Sequence, residues 1–307
     1  MKPFRKNVAI AIDGGGIRGV LVARALMVLE EALGKPLSQV CGLAAGTSTG
    51  SILSAGIASG LSAADLHKLY VSLGETIFRK SWRTFFFPLT PYRYPHEPLA
   101  AALQGVLGQR VMSDFWTPEA HFDVVITAFD LESNHTRFVK PWKDEYKDWS
   151  VVKAVLASSS VPTYFPAVDG RYVDGGVGSY CNPCYLAAYE AQYCLEWDAS
   201  ETTLISVGTG RYPHSFDTQK TNQMWVWKWL SPLLDAFSQS ADDQQVHLVC
   251  TFFDQLDFRR FQIDLPDSIA MDSADQIQQL SELGEALGKK IINDEIDPVV
   301  PVCAIKA

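Results

Sequence analysis

The chain has 307 residues, 47% of them hydrophobic and 20% charged, with a net charge of −9. A chain of this size buries about three quarters of its unfolded surface, so an ordinary globular core forms without disulfides or structural metal. The acidic balance argues against a nucleic-acid partner, because phosphate binding depends on clustered Lys and Arg, while a local basic or aromatic patch remains free to meet a membrane.

Residues 8–12 form an apolar run that predicts a fully buried strand, and residues 18–33 predict a helix with Leu21, Ala25, Val28 and Ala32 on one face and Gly34 stopping it. The basic residues before that strand resemble the start of a signal peptide, but the run is too short and ends at Asp13. No stretch approaches the roughly 20 apolar residues of a membrane span, and a cytoplasmic protein is expected. The sequon at Asn134 is then a chance match. A second apolar strand is predicted over 40–45, then a helix over 49–59 ending at Gly60, and a third helix capped by Ser62 and Asp65 and running to about Phe78. Strand, helix, strand, helix at this spacing implies a parallel βαβ unit.

Residues 79–97 break the pattern: they show no period and contain three prolines, with Trp82, Phe85, Phe86, Phe87, Tyr92 and Tyr94 interleaved with four basic residues. An irregular flap is expected there, its aromatics either packed on the body of the protein or turned to lipid as peripheral membrane contacts. Further strands are predicted over 122–129, 170–173, 204–207 and 248–253, and helices over 149–157, 184–195, 225–237 and 273–292. No repeat, linker or low-complexity stretch interrupts the chain, which is read as a single domain over 1–307. Six cysteines are scattered without a disulfide framework, and the lone C-x-x-C of Cys181 and Cys184 lacks the second pair a zinc site needs. Neither metal nor cofactor is expected.

Two phrases carry chemistry. Asp13 to Gly19 reads DGGGIRG and Gly46 to Gly50 reads GTSTG, each where a strand runs into a helix. The second is a G-x-S-x-G elbow, in which Gly46 and Gly50 permit the sharp bend that lifts the Ser48 hydroxyl clear of the sheet. The first offers N–H groups of Gly14, Gly15 and Gly16 at a helix N-terminus, suited to a developing oxyanion. GGGIRG also satisfies the dinucleotide pattern G-x-G-x-x-G, but the acid that would hold a ribose is absent from the end of the second strand.

A serine elbow needs a base. His214, just after Gly208 to Gly210, fits the Ser, Asp, His order of an α/β-hydrolase triad, or is simply a polar loop residue. Asp174 stands at a strand end before Gly175 and Gly176, which let substrate or another backbone come close. A carboxylate accepts a serine proton directly if a dry environment raises its pKa.

The chain resembles the patatin-like phospholipases, lipid acyl hydrolases with a Ser-Asp dyad. The oxyanion block is residues 13–19, the nucleophile block 46–50, the dyad block 174–176, with a serine-rich stretch at 157–166 and a late strand turn at 206–210, all in the family's order within 7–210. The resemblance implies a three-layer α/β/α fold with a mostly parallel central sheet. It also implies a phospholipase A or lysophospholipase activity in which Ser48 is acylated, Asp174 is the base, and Gly14, Gly15 and Gly16 form the oxyanion hole. Arg18, Gly46, Gly50, Gly175 and Gly176 support them, Arg18 either by binding loop carbonyls or by meeting a lipid phosphate. The family's Asn-Asn-Pro turn is altered here to Cys181-Asn182-Pro183. Two other readings are a catalytically silent lipid-binding protein and a Ser-His-Asp esterase or thioesterase using His214.

Overall fold

The computed structural model describes residues 1–78, 82–86, 89–119, 121–212 and 226–298. Its centre is a seven-stranded sheet. β1 (Asn7–Ile12) is flanked by β2 (Leu43–Gly46) and β6 (Thr202–Val207), and beyond them lie β3 (Asp123–Asp130) and β7 (Asp257–Phe261). These five strands are mutually parallel, whereas β4 (His135–Val139) and β5 (Tyr172–Asp174) both pair with β3 in antiparallel sense.

β1 explains the layering. Ile10 and Ile12 face a core with α1 (Gly19–Leu33), α2 (Thr49–Ala58), α3 (Ala63–Thr76), α5 (Glu97–Leu107), α6 (Val151–Ser159) and α9 (Ile277–Ile292). Ala9 and Ala11 face a second core under α7 (Cys184–Tyr189) and α8 (Val226–Phe252). A strand covered by helices on both faces reads as a continuous apolar run, and the fold is the expected three-layer α/β/α arrangement. α9 presses on α1 through two glycines: a Cβ on Gly284 would lie 2.4 Å from the Leu21 carbonyl oxygen, and one on Gly288 2.6 Å from Val28 Cβ.

Of residues 248–253, expected as a strand, 248–252 are the end of α8 and Phe253 follows directly after it. The apolar run is too short to separate strand from helix by period, but the buried positions Gln245, Val246, Val249 and Phe253 follow helical spacing while Cys250, Thr251 and Phe252 are exposed. The strand expected over 40–45 is shorter and later, because Leu37–Gln39 forms a 3-10 turn that runs on into Val40. The helix expected over 184–195 changes at Glu190 into a single π-helical turn, Glu190–Cys194.

The segment expected as an irregular flap divides in two. Tyr94 is buried against Phe78, Tyr164 and Phe165. Phe85 and Phe86, in and just after the short α4 (Trp82–Phe85), stand 82% and 51% exposed and pack edge to face on each other, next to an 85% exposed Leu89. Phe87 lies outside the described residues, as do His214, Trp225 and Cys303, and the side chains of Trp82, Trp227 and Trp229 are likewise outside them.

Candidate active site

Ser48 occupies the bend between β2 and α2 with φ 54° and ψ −123°, a conformation side chains rarely adopt. The two glycines of the elbow permit it by contact. A Cβ at Gly46 would sit 2.2 Å from the Gly50 oxygen, and one at Gly50 would sit 2.1 Å from the Ile12 oxygen. The Ser48 N–H donates to Ser158 Oγ at 2.8 Å, and its carbonyl accepts from Ser51 Oγ at 2.6 Å, so both backbone groups are engaged and the bend is held from two sides.

The register of β3 brings Asp174 alongside. β4 occupies one edge of β3, while β2 and β5 lie end to end on the other. Gly46 pairs with Ile126, and Asp174 pairs with Ala128 two residues further on. Asp174 is buried, and its Oδ1 accepts the Gly176 N–H at 2.8 Å. Gly175 lies so close to Thr127 that a Cβ would fall 2.1 Å from its hydroxyl. Burial raises the Asp174 pKa to about 6, against the opposing pull of the Ser48 hydroxyl and the Gly176 amide. The hydroxyl is thus a close neighbour of the carboxyl, yet Oδ2 has no partner in hydrogen-bond geometry, the loose contact common in sites without substrate. Among the described residues no histidine bonds to either. His67 is engaged with Ser281, His96 with Ser160, His121 with Trp116 and His135 with Ser133.

The glycine loop closes over the same point. The Gly14 N–H donates to the Cys181 carbonyl at 2.9 Å, so Gly14 shapes the loop and has no N–H left for an oxyanion. Its carbonyl accepts from Thr209 Oγ1 at 2.7 Å. The Gly15 and Gly16 N–H groups have no acceptor among the described residues. Gly16 has φ 59°, and its Cβ would meet the Met271 oxygen at 2.5 Å, the same oxygen that takes the Ile17 N–H at 2.8 Å. Arg18 binds the carbonyls of Gly15 and Gly210, each at 3.2 Å. Beneath the loop Asp13 forms a buried, two-pronged ion pair with Arg260, which also donates to Ser206 Oγ.

Several of these partners escaped the sequence reading. Arg260 sits on β7, whose DFRRF hides a strand behind two arginines, and Ser158 and Thr209 lay inside motif blocks without an assigned role. Cys181 and Cys184 are neutral thiols, since burial pushes both pKa values up.

An apolar cavity of about 50 Å³ is lined by Ser48 together with Ile17, Ile52, Tyr70, Leu99 and Phe165. Elbow, carboxyl, free amides and apolar cavity therefore converge at the carboxyl ends of β1 and β2, the edge where open α/β sheets bind ligands.

The model of the patatin-like phospholipase family matches residues 10–187, which takes in the loop, the elbow and Asp174. The chain belongs to that family. Relatives of this patatin-like chain include the intracellular phospholipase A2 of Caenorhabditis elegans, 29% identical over 218 residues that cover 66% of this chain and 19% of that protein. Patatin-like protein 2 of Arabidopsis thaliana is 26% identical over 341 aligned positions, covering 92% of this chain and 82% of that protein. The patatin-like chain thus spans most of the plant relative and about a fifth of the nematode one. Among solved structures, VipD from Legionella pneumophila aligns over 95% of this chain and 67% of its own at 12% identity, with a TM-score of 0.49. Among the described residues no helix is long and apolar enough to cross a membrane.

Proposed function

We propose that the chain is a lipid acyl hydrolase of phospholipase A or lysophospholipase type, acting through an acyl-Ser48 intermediate. The observation that carries this reading is the juxtaposition of a strained Ser48 with a buried Asp174 whose pKa is raised to about 6. Asp174 takes the hydroxyl proton as Ser48 Oγ attacks the ester carbonyl, then gives it to the departing alcohol. In the second half-reaction it activates a water that releases the fatty acid and regenerates the serine. A pKa near 6 suits both tasks close to neutral pH, because the group is ionised to accept and acidic enough to return the proton.

The Gly15 and Gly16 N–H groups stabilise the tetrahedral oxyanion, each donor contributing on the order of 3 kcal/mol to lowering the barrier. Arg18 belongs to the loop's support, since it binds two carbonyls. The acyl chain enters the apolar cavity lined by Ile52, Leu99 and Phe165. Phe85 and Phe86 form the lipid-facing tip, assigned to peripheral contact because aromatic side chains favour the water–lipid interface. The whole chain is read as one catalytic domain of a cytoplasmic protein that meets its substrate at a membrane surface.

The deciding experiment treats the wild type and Ser48→Ala with a fluorophosphonate probe and with mixed phospholipid vesicles, followed by lipid mass spectrometry. Covalent labelling and fatty acid release in the wild type alone are expected. Equal release by Ser48→Ala would remove the nucleophile assignment, and loss of labelling on His214→Ala with activity retained in Asp174→Asn would favour the triad instead.

A further inference from the structure

A backbone N–H is aimed by its own peptide unit, which is planar and trans, so that the N–H and the C=O point in opposite directions. The Gly15 N–H is therefore directed by whatever holds the Gly14 carbonyl. That carbonyl accepts from Thr209 Oγ1 at 2.7 Å, and more weakly from Cys181 Sγ at 3.8 Å. Glycines on both sides of the unit leave it free to rotate unless an outside group takes hold of it. The Gly15 carbonyl is held in the same manner by Arg18, through its backbone N–H and its Nε, each at 3.2 Å, and this sets the direction of the Gly16 N–H. Each of the two amides without an acceptor thus has a donor fixed to the opposite end of its own peptide unit.

Thr209 is well placed to act as a fixed point. It follows the end of β6 by two residues and is buried. Both of its chain neighbours are fastened to the continuation of β7: the Gly208 N–H donates to the Phe261 carbonyl and the Gly210 N–H to Gln262 Oε1, each at 2.9 Å. A Cβ on Gly15 would fall 2.4 Å from Thr209 Oγ1 and 2.7 Å from its Cβ, so the threonine fills the space directly beside the loop. A hydrogen bond at the C=O end also polarises the peptide unit and strengthens its N–H as a donor.

We propose that Thr209 is a positioning residue for the reaction at Ser48: its hydroxyl holds the Gly14–Gly15 peptide unit with the Gly15 N–H directed at the oxyanion. It acts through the loop and not on the substrate. The inference rests on the acyl-Ser48 reading and adds to it a side chain from outside the dyad and the glycine loop. Proton transfer to and from Asp174 is left unchanged by it, so its effect falls on the stabilisation of charge in the transition state.

The test compares the wild type, Thr209→Val and Thr209→Ser on a monomeric short-chain ester. Valine keeps the shape of threonine without the hydroxyl, and serine keeps the hydroxyl. Removing an oxyanion donor outright costs about 10² to 10³ in kcat. Thr209→Val retains the amide and the weak Cys181 contact, so kcat should fall by about tenfold to a hundredfold with KM within about twofold. Thr209→Ser should stay within about threefold of the wild type. Affinity for a trifluoromethyl ketone, which forms a tetrahedral adduct with Ser48, should fall in proportion to kcat/KM. The pH midpoint of the rate, near 6, should not move, because Asp174 is untouched. If Thr209→Val does not fold, Thr209→Ala takes its place against Thr209→Ser. A hydroxyl-free variant with wild-type kcat, a loss carried by KM alone, or a Thr209→Ser as poor as Thr209→Val would overturn the proposal. Wild-type labelling by a fluorophosphonate alongside any of those results leaves the acyl-Ser48 reading standing, whereas a wild type that is not labelled removes both.

Discussion

Arg260 grips Asp13 through both guanidinium NH₂ groups beneath the glycine loop, in a pair almost wholly withdrawn from water. Asp13 is the last residue before three glycines that have no side chains of their own to fix them. Its backbone N–H is bound to the Val207 carbonyl at 3.1 Å, and its carboxylate is bound to β7, so the loop is fastened at its root to two neighbouring strands.

Replacing Arg260 with Met should therefore destabilise the protein by about 3–5 kcal/mol, because a buried carboxylate is left without its counter-charge. Arg260→Lys should recover only part of that loss, since an ammonium cannot make the same parallel pair of bonds. Denaturant midpoints of the three proteins check this, and a loss under about 1 kcal/mol in Arg260→Met would show that Asp13 is neutral or solvated.

Asp174 should link activity and stability with opposite signs. Its pKa stands at about 6, above the ordinary 3.8. The folded state thus keeps a proton that the unfolded chain gives up, and stability falls as pH rises from about 4 through about 6. The wild type at neutral pH holds a buried, poorly satisfied charge. Asp174→Asn removes it and should raise unfolding free energy at pH 7 by up to about 3 kcal/mol, while lowering kcat by about 10² to 10⁴. The wild-type kcat/KM should rise with pH through about 6 in step with ionisation of this group. Thermal melts across pH and a pH–rate profile on a soluble short-chain ester provide the measurements. Equal stability of Asp174→Asn and wild type at pH 7, or a flat profile from pH 5 to 7, would contradict the assignment.

The exposed Phe85 and Phe86 invite a comparison of substrates. Changing both to Ser should weaken binding to phospholipid vesicles by about tenfold or more, since two large apolar side chains no longer enter the interface. Hydrolysis of a monomeric short-chain ester should change by less than about twofold, because surface substitutions away from packed sites shift stability little. Vesicle sedimentation and ester assays on the same preparation separate the two effects. Equal losses on both would mean that these rings pack on a partner surface of the protein itself.

Much of the molecule was legible because its signals are local. The buried strand before Asp13, the helix stopped by Gly34 and the serine between Gly46 and Gly50 each follow from residues within one element. Ser62 and Asp65 form the anticipated reciprocal cap on α3. What failed depended on distant neighbours. β7 carries Arg259 and Arg260 in its interior, and those charges are tolerable because Asp257 at the start of the same strand is joined by Asp294 and Asp13 from elsewhere. β4, whose side chains run from an exposed His135 through three half-buried residues to a buried Val139, lacks the apolar density that marks a strand, and it exists because β3 offers a free edge. The 248–253 run was ambiguous in the other direction, apolar enough for a strand but buried on one side only. In the candidate site the loop and elbow could be read from their glycines. The engagement of Gly14 with Cys181 could not, because it joins residues 167 positions apart.

The end-to-end placement of β2 and β5 along one side of β3 has a further implication. The spacing of Ser48 and Asp174 is measured off against a third strand, and the path the polypeptide takes between them does not enter that measurement. The helices of that long excursion, α4 with its exposed Phe85 among them, are therefore at liberty to lengthen, shrink or change shape. A single residue added inside β3 between Ile126 and Ala128 would have the contrary effect, shifting one partner along the ruler while leaving the other in place.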